Sequence, residues 1–379
     1  MPKEVYITKI SKFLPNKAVS NDEMEEYLGR INGLESRVKR LILRHNGIKT
    51  RYYALEKGGK TTHTNTEIAV EAIKRLEDKN FSINDIELLT SGSASPDYMM
   101  PSMASMIHGK LGIPPIDVMS AMGSCNSSMW ALNYAWMSIL TGKYNNAVCV
   151  GTERLASWMT SKIFEEESKH LEAIGKNPFI AFEKEFLRWM LSDGAAAALI
   201  RSTPNDEQLS LRIDWIEIRS YANEVETCMF AGGVKDKDGD IIPWREYSGK
   251  EWGDETIFAL QQDSRLLEKH ITKYGMQFLN ELIEKYNIDF ESIDYFLPHL
   301  SSEFFREKIQ ESLLNNNVNI PYSKWFTNLH KVGNVAAASG FLALEELLYS
   351  GNLKKGDHIL VMIPESARFS YTYIHLTAV

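Results

Sequence analysis

The sequence predicts an α/β protein in which one strand–helix plan is laid down twice. Three observations carry that expectation. Runs rich in β-branched and aromatic residues alternate with segments of helical periodicity along the whole chain. The alternation restarts in the same order after about residue 205. No low-complexity linker separates the two stretches, so residues 1–205 and 206–379 are read as two halves sharing one core. Strand–helix–strand alternation implies parallel sheet covered by helices. A length of 379 residues is enough for two core-bearing units of roughly 150–200 residues each.

The first half opens with the strand VYITKI (5–10) and the helical TEIAVEAIKRL (66–76). IELLTSGS (86–93) is a strand, 101–111 a helix, and IDVMSAM (116–122) a strand. A helix over 125–140 leads to the strand AVCVGTE (147–153). The charged stretch from about 156 to 190 is too long for a plain loop and reads as a helical insertion. AAAALI (195–200) and LSLRIDWIEIRSY (209–221) are strands. The second half then gives a helix over 257–286, the strand YFLPHL (295–300) and a helix over 301–314. A helix over 335–350, the strand HILVMI (358–363) and a closing strand over 370–379 complete it.

Composition narrows the function. The chain is 44% hydrophobic and 24% charged, ordinary for a globular protein. A net charge of −8 argues against broad nucleic-acid binding, which needs many phosphate contacts. The basic run SRVKRLILRHNGIKTR (36–51) is a local exception, either a solvated helix face or a ligand-facing segment. No secretory signal is visible in the first thirty residues, and no run of about 18 apolar residues occurs, so a cytoplasmic protein without a membrane span is expected. The three cysteines (125, 149, 228) fit no disulfide or metal pattern, and the nine histidines are scattered, so no metal is expected. No phosphate-binding G-x-x-x-x-G-K-[ST] loop is present.

Three windows carry chemistry. SAMGSCNSSMWAL (120–132) puts Cys125 after Gly123 and Ser124, where a strand turns into a helix. A helix N-terminus favours thiolate, so Cys125 is a candidate nucleophile, although a lone cysteine is also a common inert core residue. YFLPHLSS places His299 at a strand end, and NLHKVGNVAAAS places Asn334 at a helix start. Singly these are a core histidine and an N-cap. With Cys125 they supply a nucleophile, an imidazole and an amide donor, all at strand-to-helix turns where α/β folds assemble sites.

In these windows the sequence resembles the thiolase-fold condensing enzymes, and in particular the β-ketoacyl-ACP synthase III family. The family's cysteine is followed six residues later by Ala-Leu, as Cys125 is by Ala131 and Leu132. His299 matches its strand-end histidine, and Gly333 to Ser339 match its GN(T/V)xAAS box. RHNGIKTR (44–51), MPSMAS (100–105) and LSDGAAAAL (191–199) are similar to three further segments. The resemblance implies a duplicated, five-layer αβαβα fold with two mixed sheets, and a homodimer. It implies that Cys125 carries an acyl group as a thioester, while His299 and Asn334 hydrogen-bond the second substrate's thioester carbonyl. Donors fixed at such an oxygen are worth roughly 2.7–4 kcal/mol each. The oxyanion hole would use the Cys125 N–H and, counted back from the C-terminus, that of Ser366. No resident cofactor is implied, since substrates arrive on the phosphopantetheine of an acyl carrier protein or on CoA. A cysteine hydrolase uses the same residue types but needs neither the GNVAAAS helix start nor the duplicated order. A non-catalytic ketosynthase partner typically lacks the cysteine.

The chain departs from the family in places. Its C-terminal loop, IPESARFSY (363–371), has no glycine where the family is glycine-rich. Glu365 and Arg368 enter that turn, either as a structural ion pair or solvent-facing charges, or with Arg368 reaching the site floor. Glu153 ends a strand where the family carries a smaller residue, and a Glu153–Arg368 pair near Cys125 would suit a second carbon–carbon bond formation. Leu41 and His45 stand where CoA-primed members place a Trp–Arg clamp, which favours a carrier-protein donor. Arg306 and Lys308 are candidates for docking that acidic carrier, or a plain solvated face. Met100 falls where the family ends its acyl pocket, although methionine also fills cores. These departures resemble the ketosynthase/cyclases that form dialkylresorcinol or cyclohexanedione precursors. The alternative is an initiating synthase III that condenses decarboxylatively with malonyl-ACP.

Overall fold

The computed structural model describes residues 4–174 and 182–379. Its first half runs β1 (Tyr6–Phe13), α1 (Asn65–Lys74), β2 (Leu88–Ser93), α2 (Met103–Leu111), β3 (Asp117–Met122), α3 (Ser127–Leu140), β4 (Asn146–Glu153) and β5 (Gly194–Arg201). Its second runs β6 (Leu211–Ser220), α4 (Ser264–Tyr286), β7 (Ile293–Pro298), α5 (Phe304–Asn315), α6 (Ser339–Leu348), β8 (His358–Glu365) and β9 (Ser370–Ala378). In the first half β4 lies parallel to β2 and antiparallel to β5, which pairs antiparallel with β1. In the second β8 lies parallel to β7 and antiparallel to β9, which pairs antiparallel with β6. The halves therefore trace one path twice. β3 adds a fifth strand, parallel to β2, to the first block; a single parallel bridge between Phe296 and Trp325 stands in its place in the second.

The two blocks meet through two residue pairs, Tyr6 with Arg212 and Ile7 with Leu211, and so run together as one nine-stranded mixed sheet. Helix α3 packs on β2 and β4 and reaches β6, while α6 packs on β1 and β5 and reaches β7. These two helices form the middle layer. Helices α1 and α2 cover the outer face of the first block; in the second, α4 packs on β9 and α5 packs against α4. The Ala-rich β5 and the apolar β4 are buried on both faces, as strands between two helix layers must be. Gly151 shows how closely the middle layer seats: a Cβ there would fall 2.4 Å from the Ala337 carbonyl oxygen.

The largest boundary difference from expectation lies at the start of α4. The helix expected from 257 begins at Ser264, where the Asp263 carboxylate accepts from the Arg265 and Leu266 N–H groups; Gln261 and Gln262 instead pair with Phe230 and Met229. The expected insertion is helical over Ser161–Ala173 and Phe182–Glu185, with residues 175–181 outside the described set. It is tied down by a buried Lys184–Glu167 pair at 2.8 Å and by Arg188, whose Nε donates to the Met159 carbonyl at 2.8 Å.

Candidate active site

Cys125 occupies the turn between β3 and α3 and is buried. The helix start behind it is fixed from the other half: Asn126 donates to Ser370 Oγ at 3.1 Å and accepts from Thr372 Oγ1 at 2.5 Å. Cys149 and Cys228 are also buried, but Cys125 alone of the three lines the apolar channel that His299 also lines. That channel runs between α4 and α5, past Leu267, Ile271, Gly275, Phe305 and Ile309.

His299 follows the last residue of β7, its N–H donating to the Met362 carbonyl at 2.8 Å. Burial lowers the imidazole to about 4, so it is neutral near pH 7. Its Nε2 is buried and has no hydrogen-bond partner among the described residues. An unpartnered buried ring nitrogen at a channel wall is suited to hydrogen-bond a substrate oxygen.

Asn334 is pinned to the first half. Its N–H donates to the Met190 carbonyl at 3.2 Å and its own carbonyl accepts from Ser192 N–H at 2.9 Å. Its Oδ1 accepts from Ala336 N–H at 2.9 Å, which leaves the amide NH₂ as the end free for a ligand. Gly333, at φ +74°, is required there, since a Cβ would meet the Ser192 and Arg51 side chains at 2.9 and 3.1 Å. The LSD and IKTR segments thus meet at Asn334. His299 and Gly333 together line a second, smaller opening.

The expected Glu153–Arg368 pair does not form. Arg368 is exposed and donates to Ala222 O and Thr227 Oγ1. The β8–β9 turn aims it outward and turns Glu365 inward instead. Glu153 is fully buried, its carboxylate accepting from Ser95 Oγ at 2.5 Å, the Ala94 and Ser95 N–H groups at 2.9 and 3.1 Å, and Ser93 Oγ and Ala337 N–H at 3.3 Å. Burial pushes it up to about 7. Glu365, also buried, accepts from Ser124 Oγ at 2.6 Å, Ala367 N–H at 2.9 Å and Ser370 Oγ at 3.1 Å. Sequence reasoning had singled out Glu365 only as a surface or ion-pair residue. The signal for more was its place in a turn whose relatives carry glycine.

The thiol itself differs from expectation. Burial first, then the charges of Glu365 and Glu153, push Cys125 well above an ordinary thiol, outweighing the helix N-terminus. At rest it is protonated.

Ser366 lines the Cys125 channel, its hydroxyl accepting from Gln262 Nε2 at 3.0 Å. Met100 is 85% exposed and does not line that channel in the single chain. Arg306 and Lys308 are already engaged: Arg306 forks onto Glu303 at 2.5 and 2.9 Å, and Lys308 meets Glu268 at 2.7 Å. Among the described residues, Asp214, His358 and His375 group at metal-ligand spacing far along the β8–β9 ladder from Glu365. Asp214 is satisfied there by Arg212 Nε at 2.7 Å, Thr377 Oγ1 at 2.6 Å and His375 Nδ1 at 2.8 Å. No helix among the described residues is long and apolar enough to cross a membrane.

The chain is similar to known proteins in sequence and in fold. Residues 283–363 match the C-terminal domain of 3-oxoacyl-[acyl-carrier-protein (ACP)] synthase III. The chain is 26% identical over 351 residues to β-ketoacyl-[acyl-carrier-protein] synthase III of Clostridium perfringens, and 27% over 348 residues to that of Rickettsia felis, covering 92% of each chain in both cases. AbyA1, a tetronic acid condensing enzyme, shares the fold with TM-score 0.73 at 20% identity over 98% of this chain and 99% of its own. So does an OleA variant of Xanthomonas campestris with bound lauric acid and lauroyl-CoA, with TM-score 0.73 at 20% identity over 100% of both chains.

Proposed function

We propose that the chain is a condensing enzyme of the β-ketoacyl-ACP synthase III kind, which its similarity to such proteins supports, and that it joins a long acyl group, held on Cys125, to a carrier-bound acyl or β-ketoacyl thioester. The observation that supports a long chain is the apolar channel between α4 and α5, which starts at Cys125 and His299 and is walled by Leu267, Ile271, Phe305 and Ile309. The OleA neighbour, with its bound lauric acid, accommodates such a chain on the same fold. The His299 Nε2 and the Asn334 amide would hold the second thioester's carbonyl as it becomes an enolate. The Cys125 and Ser366 N–H groups would serve the first. A buried carboxylate beside Cys125 disfavours a malonyl carboxylate by like charge and makes proton removal from a neutral β-ketoacyl thioester available.

The acyl groups bring their own pantetheine arms, so no resident cofactor is needed. The partner is an acyl carrier protein, after which the curated relatives are named. A homodimer is supported by the edge strand β3, on which Val118 and Met122 are exposed, and by the exposed Met99 and Met100. In a dimer Met100 would help wall the partner's pocket, and a monomeric elution profile would rule that arrangement out.

Ring closure to a cyclohexanedione or dialkylresorcinol precursor is the second reading. It no longer rests on Arg368, and what favours it is the extra carboxylate, Glu365. The deciding experiment offers dodecanoyl-ACP with either a β-ketoacyl-ACP or malonyl-ACP and reads products by mass spectrometry. Condensation with the β-ketoacyl partner is expected, and loss of water with a cyclic product would establish ring closure. Turnover with malonyl-ACP alone would overturn the proposal in favour of an ordinary initiating synthase.

A further inference from the structure

A buried thiol flanked by two carboxylates is a poor resting nucleophile, and the neutral His299 has no carboxylate to make it a strong base. Something else must receive the Cys125 proton when the sulfur attacks. The neighbouring hydroxyl is placed for it. Ser124 is buried, directly precedes Cys125 in the turn, and its Oγ donates to Glu365 Oε1 at 2.6 Å, while the Glu365 charge acts on the Cys125 thiol. Glu365 is held by Ala367 N–H and by Ser370 Oγ, so its Oε1 is fixed toward Ser124.

We propose that Ser124 and Glu365 form a proton relay that takes the Cys125 proton during acyl transfer. A hydroxyl can accept one proton while giving up another, which a backbone N–H cannot. As Sγ attacks the incoming thioester, its proton passes to Ser124 Oγ and the Ser124 proton passes to Glu365 Oε1. The new Sγ–acyl bond forms and the acyl–pantetheine C–S bond breaks. The same path returns the proton to the leaving pantetheine thiolate. Glu365 is then ionised again, and no oxidant, reductant or further reactant is consumed. The relay rests on Cys125 being the acyl acceptor.

The test compares wild type with Ser124→Ala, Glu365→Gln, Glu365→Asp and the Ser124→Ala/Glu365→Gln double variant. Dodecanoyl-pantetheine is mixed with enzyme in a single turnover, and the acyl-enzyme is followed by intact mass after rapid quench. General-base assistance contributes about 10²–10⁴-fold, so each single variant should slow acylation at least about 100-fold. The double variant should be no slower than the worse single one, because the two groups act as a unit. Iodoacetamide alkylation across pH supplies the readout that a merely structural role would not give. Glu365→Gln removes a negative charge and should move alkylation to lower pH, so its thiol ionises more easily yet accepts the acyl group more slowly. Glu365→Asp should recover part of the rate.

Acylation within about threefold of wild type in either single variant overturns the relay. A slow Glu365→Gln beside a normal Ser124→Ala also overturns it, leaving only a direct charge effect. Should Glu365→Gln fail to fold, Ser124→Ala decides alone. A wild type that ignores dodecanoyl-pantetheine but accepts acetyl-pantetheine refutes the long-chain reading instead, and the variants are then compared with acetyl-pantetheine.

Discussion

The two halves of the chain end matching strands on the same residue and use it differently. β4 and β8 are both eight residues long, both lie between a parallel and an antiparallel neighbour, and both close on a buried glutamate, Glu153 and Glu365. Each reaches across to the other half: Glu153 accepts from Ala337 N–H ahead of α6, and Glu365 from Ser124 Oγ ahead of α3. The donors set them apart. Glu153 takes three backbone N–H groups, which hold a carboxylate and pass nothing on. Both also take two serine hydroxyls, but those of Glu153 come from Ser93 and Ser95 of its own half, whereas one of those on Glu365 belongs to Ser124, directly before the nucleophile. Duplication has placed an anchor and a proton acceptor at pseudo-equivalent points.

The sharpest way to break the comparison is where the middle layer seats on the first block. Gly151, two residues before Glu153, lets the backbone ahead of α6 touch β4; its counterpart Ile363 fills the matching gap with a side chain that meets Gly340. Gly151→Ala would drive a Cβ into the Ala337 carbonyl, which cannot swing aside. It should cost about 3 kcal/mol or more in urea unfolding, the upper end of overpacking, while Ile363→Val costs about 0.5–1.5 kcal/mol. Equal costs would mean that the two blocks bear on the middle layer alike.

Acid offers the next largest effect. Burial lowers His299 from 6.5 to about 4. An imidazole that protonates later in the folded state stabilises it fully above about pH 6.5, and this is lost as the pH falls through 4. The separation is worth about 3 kcal/mol. Unfolding free energies at pH 7 and pH 4 should therefore fall about 3 kcal/mol further in wild type than in His299→Asn, the buried carboxylates being common to both proteins. Parallel slopes would show that the imidazole is hydrated.

How much of this was legible in the sequence follows from what each signal depends on. Strand–helix order and the Cys125, His299 and Asn334 turns were readable because small residues and local periodicity mark them within a few positions. The start of α4 was not, since Gln261 and Gln262 are recruited to a two-stranded ladder by Met229 and Phe230, some thirty positions away. The direction of the 365–368 turn was likewise hidden. Two charges three residues apart do not say which faces inward, and the hydroxyls that receive Glu365 come from Ser124 and Ser370 on different elements.

The smallest effect sharpens the distinction between the two glutamates. In Glu153→Gln an amide nitrogen replaces one acceptor oxygen and faces N–H donors that it cannot satisfy. One or two buried N–H groups are then left unpaired, at about 1–3 kcal/mol. Stability at pH 8 should fall by about 2 kcal/mol. Acyl transfer to Cys125 in the folded fraction should stay within about threefold of wild type, because no donor to Glu153 passes through Ser124. The same substitution at Glu365 is expected to do the reverse, sparing stability more than rate, since the hydroxyls of Ser124 and Ser370 can rotate to new partners. If Glu153→Gln instead slows acyl transfer as much as Glu365→Gln does, the two carboxylates act on the thiol through charge alone. The anchor and the acceptor would then be one device, duplicated in function as well as in position.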